Sequence, residues 1–297
     1  MSIFWLLAAF GSGAFATAIG GVESFVITGV FAIIGTCISL AGGDGGLVTG
    51  NIAFGMFGPH IAFAGAVAGA AYAKKAGKLD NGADIVTPIS SCNDPMSLIV
   101  GGVFGVIGYL FKLFVVDNLF AGTISSKLVT DGPGFTVFCS AILVRLVFGG
   151  SIKTGDAIKS EGAAWTNVIT MGVTYSLMTG GVLVGLIEVF PDAKDAILGN
   201  FAVTCFGIAA IGLTFACGGL AFYGCHQILL ISALAAAKAY PTMGGFGAVI
   251  AAVIFGTVAA IINDSETVFM NSGDVSHIDG PATAIFITTF IINAIWG

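Results

Sequence analysis

Apolar residues occupy this chain in long blocks separated by short polar or glycine-rich breaks, without the two-residue alternation of a half-buried strand. Crossing the hydrocarbon core of a bilayer takes about 17 to 25 residues of helix. Blocks of that order fall at 3–19, 25–42, 60–73, 97–116, 134–150, 168–190, 201–218, 220–240, 246–262 and 282–297. The pattern predicts an all-α integral membrane protein of about ten transmembrane helices.

The breaks differ in kind. Residues 44–58 are rich in glycine and nearly uncharged, too apolar for an ordinary loop and too interrupted for a clean helix. Irregular backbone at membrane depth survives only against protein or a water-filled cavity, so a re-entrant or broken segment is expected near 44–60. Residues 74–95 carry Lys74, Lys75, Lys78, Asp80, Asp84 and Asp94 and read as an aqueous loop, and a polar linker follows at 153–161. Pro191 and Pro241 are expected to close the spans before them. Gly218-Gly219 predicts a tight hairpin between the seventh and eighth spans.

The chain also repeats itself. Asp131-Gly132-Pro133 returns as Asp279-Gly280-Pro281, and 279 − 131 = 148. At that offset, without a gap, Gly108 falls on Gly256, Phe138 on Phe286, Arg145 on Asn293 and Gly149 on Gly297. Phe57-Gly58-Pro59-His60 resembles Tyr223-Gly224-Cys225-His226, and Gly20-Gly21-Val22 matches Gly180-Gly181-Val182, all in the same order. The expected organisation is one membrane domain of two repeats, 1–150 and 151–297. Five spans per half is an odd number, so the second half must be inverted, as in many channels and secondary transporters whose site lies between the halves.

Composition sharpens this class. Hydrophobic residues make up 57% of the chain and charged ones 9%, against about 25% charged in soluble domains. The formal charge of −6 comes from loop carboxylates, and no basic patch suits nucleic acid. The six cysteines form no C-x-x-C pair and behave as small hydrophobes, with no metal site or cofactor implied. Met1 leads into an apolar run without a positively charged n-region, which reads as a retained first span. Lysines weighted toward the 74–95 and 153–161 side place both termini outside. Forty-five glycines exceed what turns need; Gly65 and Gly69 form a G-x-x-x-G match that suits close helix packing.

Polar groups inside apolar spans are costly and default to functional candidates. His60 and His226 stand at equivalent places in the two halves, where a neutral imidazole can donate to and accept from a polar solute or relay a proton. With Asn51 and Asn200 they form the expected pathway set. Asp131 and Asp279 suit N-caps, and with Asp44 they are the candidates for binding a cation. Arg145, the sole arginine, is expected to snorkel to the interface. Asn263, Asp264, Glu266 and His277 form an acidic mouth or a solvated loop. No H-E-x-x-H or G-x-S-x-G motif points to an enzyme.

The run Gly58-Pro59-His60-Ile61-Ala62-Phe63-Ala64-Gly65, the start Gly101-Gly102-Val103-Phe104-Gly105 and the overall length resemble a family of uncharacterised prokaryotic multi-span membrane proteins. That resemblance implies a cytoplasmic (inner) membrane location and supplies no activity. The five-plus-five inverted plan is similar in architecture to urea channels and coupled amino-acid transporters, without the signature motifs of either. The expected function is a channel or facilitator for a small polar solute. The alternatives are a Na⁺- or H⁺-coupled secondary transporter and a non-transporting scaffold or complex subunit. The partners are the bilayer and a small solute or ion, and a homo-oligomer is compatible with the sequence.

Overall fold

The computed structural model describes residues 2–118, 129–153, 162–271 and 273–297. Most of the 153–161 linker, with Lys159, and also Lys127, therefore lie outside the described residues. Among those described the chain is helical and has no strand. The helices are α1 (Ile3–Ile19), α2 (Gly21–Leu40), α3 (Gly46–Met56), α4 (Ala62–Lys75), α5 (Pro95–Val116), α6 (Gly132–Phe148), α7 (Gly162–Val189), α8 (Lys194–Gly212), α9 (Thr214–Cys217), α10 (His226–Met270) and α11 (Gly280–Trp296). Five stretches are long and apolar enough to cross a membrane by length and composition: Gly21–Leu40, Pro95–Val116, Trp165–Val189, Pro191–Cys217 and His226–Met270.

The broken stretch expected near 44–60 is mostly helix. Gly46–Val48 starts an α-turn that widens into a π-helical run over Thr49–Met56 and ends at Phe57. The Thr28 hydroxyl on α2 donates to the Phe57 carbonyl at 2.7 Å, holding that end in place.

Two sequence expectations fail in the second half. The block at 220–240 does not begin at a Gly218-Gly219 hairpin: Gly219 takes φ 78°, residues 220–225 are non-helical, and the helix starts at His226. Pro241 does not close its span either. The helix runs past it to Gly244, whose φ of 68° and ψ of −172° break it. Proline disturbs the ladder behind it but keeps a helical φ, whereas a positive φ is cheap only for glycine, so the chain turns at the glycine.

A straight helix of 45 residues would run roughly 68 Å, more than twice a hydrocarbon core of about 30 Å. The break folds α10 back on itself, so that Ile231, Ala235 and Ala239 pack with Ala251 and Ala259.

Small residues line the closest helix contacts of the interior, and many large apolar ones lie on the exterior. Every residue of α4 from 62 to 71 is buried. Gly65 faces Gly13 of α1 and Gly101 of α5 so closely that a Cβ on it would lie 2.6 Å from the Gly13 Cα. Phe4, Leu47, Leu146, Val189 and Phe246 lie on the outside, the distribution expected where lipid is the solvent. α1 packs on α4 and α5, α2 on α8, α7 and α8 on α10, and α11 on both α10 and α6.

Two polar loops dock on each other. Lys74 pairs with Asp274 at 2.7 Å, and the Gly82 N–H donates to the Asp274 carbonyl at 2.8 Å. Lys74 holds the Asp274 carboxyl below its usual range, by hydrogen bond first and by charge second. Burial pushes Asp84 upward, but the Thr87 hydroxyl and the Thr87 and Val86 N–H groups outweigh it, and the net shift is downward.

Arg145 does not snorkel. It is fully buried and donates to the Ser276 hydroxyl (2.7 Å), the Ser276 carbonyl (2.6 Å) and the carbonyls of Ser151 and Met270 (each 3.0 Å). Its role is to fasten the 271–279 loop to α6.

Candidate functional site

The site is organised by the two Asp-Gly-Pro turns. Each aspartate is extended (ψ 106° for Asp131, 101° for Asp279), and each is followed by a proline in the first helical turn, where its missing N–H costs nothing. Asp131 Oδ1 accepts from the Gly134 N–H at 2.6 Å, and Asp279 Oδ2 accepts from the Ala282 N–H at 2.7 Å. The caps expected at α6 and α11 are therefore present.

The two helices run antiparallel against each other. Asn293 donates to the Val129 carbonyl and the Thr130 hydroxyl to the Phe286 carbonyl, while Gly134 lies against Ala282. Phe286 also packs on Phe135 and Phe138, with ring centroids at 5.3 and 5.5 Å. Asn293 stands at the 148-residue offset from Arg145, and the two make similar contacts one residue out of register: Asn293 reaches back to Val129 before α6, and Arg145 reaches back to Ser276 before α11.

Between the helix starts lies a cavity of about 230 Å³. Asp131, Pro133 and Val137 line one side and Asp279, Ala282 and Ile285 the other. His226 and Leu230 from α10 close it, together with Phe25, Phe54, Phe63 and Phe206. His226 is buried, its ring centroid lies 4.7 Å from that of Phe25, and its Nδ1 has no hydrogen-bond partner among the described residues. The described lining holds two carboxylates and one imidazole but no lysine or arginine. Bare helix N-termini attract anions. Here each start already carries its own carboxylate, so the cavity suits a solute with a positive or hydrogen-bond-donating end and a body that can rest on aromatic faces.

The expected pathway residues are not all brought together. His60 lines a second cavity of about 290 Å³ with Asn51, Trp5, Tyr109, Lys112 and Asp117. Its Nδ1 is likewise unpartnered among the described residues. Asn200 on α8 bonds the Ala196 carbonyl at 2.9 Å and lines neither cavity, and Asp44 is exposed in the turn before α3. The phenylalanine wall was not legible, because among 25 phenylalanines no spacing separates those facing a cavity from those facing lipid. The polar cluster at the start of α11, where Glu266 and Asn263 press on Gly280, was legible only as an acidic run.

Over residues 1–162, more than half of its 297, the chain matches a family of unknown function (DUF7973). It belongs to that family. No curated protein and no solved structure matches it. The family match covers the whole first half, with α1 to α6, and stops before the helices that bring His226 and Asp279 to the cavity.

Proposed function

We propose that this chain is a membrane transport protein that passes a small polar solute through the cavity between the starts of α6 and α11. In this reading ten crossings form two five-helix halves of opposite orientation: α1, α2, α4, α5 and α6, then α7, α8, the two arms of α10, and α11. The observation that carries it is the meeting of Asp131, Asp279 and His226 in one cavity at the starts of two antiparallel helices. The similar contacts of Asn293 and Arg145 support the inverted pairing, since each reaches from the end of one helix to the chain just before the other.

The short α3 and the non-helical 220–225 segment support a second element of the reading. Each precedes a histidine at the head of a buried helix, and each is the irregular kind of backbone that membranes tolerate beside a cavity. Ion coupling has its own support in the two cavity carboxylates, a feature that a facilitator for a neutral solute does not need.

The test is solute-driven swelling of proteoliposomes, followed by light scattering across a panel of small neutral and cationic solutes. The expected result is that at least one solute enters faster than into protein-free vesicles. Asp131→Asn and Asp279→Asn should each slow it about tenfold, the equivalent of about 1.4 kcal/mol in the barrier. A panel that never exceeds protein-free vesicles would favour the scaffold reading.

A further inference from the structure

The two helix starts share their aspartates but not their surroundings. At the 148-residue offset, Asp279 has Asp131 as its image, yet His277 falls on Val129, Glu266 on Asn118 and Ala260 on Lys112. At the start of α6 the neighbouring charges cancel. Gly132 lies beside Lys112, whose ammonium pairs with Asp117 at 2.9 Å.

At the start of α11 the neighbouring carboxylate has no such ion pair among the described residues. Glu266 Oε2 presses on Gly280 so closely that a Cβ there would lie 2.8 Å from it. Glu266 is only 7% exposed, and its Oε1 has no partner among the described residues. Among the described residues its one hydrogen bond comes from the Asn271 amide, at 3.5 Å. Arg145 on α6 directs its donors to Ser276, Ser151 and Met270 and, among the described residues, forms no ion pair with Glu266. Two residues before the cap, His277 Nε2 lies 3.2 Å from Asp279 Oδ1. Asp279 in turn opens onto the cavity opposite His226. Asp264 and Tyr223, bonded to each other at 2.8 Å, lie on the far side of Asn263.

An ionised carboxylate in that position is desolvated and unpaired, and protonation removes the larger part of that penalty, the part that comes from the charge. We propose that Glu266, His277 and Asp279 form a proton-binding site at the start of α11, of which Asp279 alone lines the cavity, and that the proton is the ion coupled to transport. The proton arrives from water at residues 273–279, adds to a carboxylate oxygen and leaves to water on the opposite side; no electrons move. The coupling clause rests on the transport reading above, while the binding site does not.

Infrared difference spectroscopy of the purified, lipid-reconstituted protein across a pH series tests the site directly. The expected result is a protonated-carboxyl C=O band that shifts in D₂O, is lost in Glu266→Gln and remains in Asp264→Asn. His277→Gln should move its titration midpoint. The D₂O shift needs no variant, so poor folding of Glu266→Gln would not leave the band unexamined. Absence of any such band, or its persistence in Glu266→Gln, overturns the site. If the band behaves as expected but no solute moves, the proton site stands and the transport reading falls. Solute flux that is unchanged when a protonophore collapses the pH gradient overturns the coupling.

Discussion

Arg145 shows how much one buried side chain organises. Its donors satisfy one hydroxyl and three carbonyls, drawn from Ser151, Met270 and Ser276. Arg145→Leu would leave buried acceptors empty at about 1–3 kcal/mol each. We expect thermal unfolding in detergent to fall by the equivalent of at least about 3 kcal/mol. Arg145→Lys should recover only part of that, because an ammonium cannot reproduce a planar fork.

Asp84 gives a pH test outside the spans. Its carboxyl titrates lower in the folded chain than in the unfolded one, so its contribution is complete above the unfolded value of about 4 and fades as pH falls through the lower folded value. Asp84→Asn should lower the melting temperature at pH 7, and the gap should close in acid. A gap that is constant with pH would contradict this. The duplicated aspartates and histidines were legible because duplication marks them twice. The fate of Arg145 was not, since its partners are backbone carbonyls about 125 and 131 residues away that no spacing encodes.

Among the elements, α4 and α10 carry the sharpest consequences. The close approach of α1, α4 and α5 depends on glycines at 13, 65 and 101. Gly65→Val must force the helices apart, an overpacking cost of about 1–3 kcal/mol or more, readable as a lower melting temperature. Gly244→Ala meets no steric neighbour yet requires a positive φ, so it should destabilise by about 1 kcal/mol or more through backbone strain alone. Most helices were legible as apolar blocks, since block length reports helix length directly. The bounds of α10 were not. Proline is the stronger breaker by propensity, but the fold needed a positive φ, which only the glycine three residues later supplies at low cost.

Taken whole, the molecule places the starts of two antiparallel helices, one from each half, around one cavity, and surrounds it with small buried residues and a large apolar exterior. The two capped Asp-Gly-Pro helix starts could be read from the 148-residue offset. The splitting of the two histidines between different cavities could not, because equivalent positions in a repeat need not face the same space. Transport through this site requires that water and solute reach the cavity from both sides of the membrane.

The most direct measurement does not require the solute to be known. Val203→Cys, on the cavity wall, would be introduced into a chain whose six native cysteines have been replaced. It would then be exposed to a charged, membrane-impermeant thiol reagent from either face of sealed vesicles. Labelling from both faces is expected, slowed in parallel by Ala282→Phe, which puts a ring into the cavity. A cysteine at 203 that reacts from neither face would mean a dry interior and would contradict transport through this site.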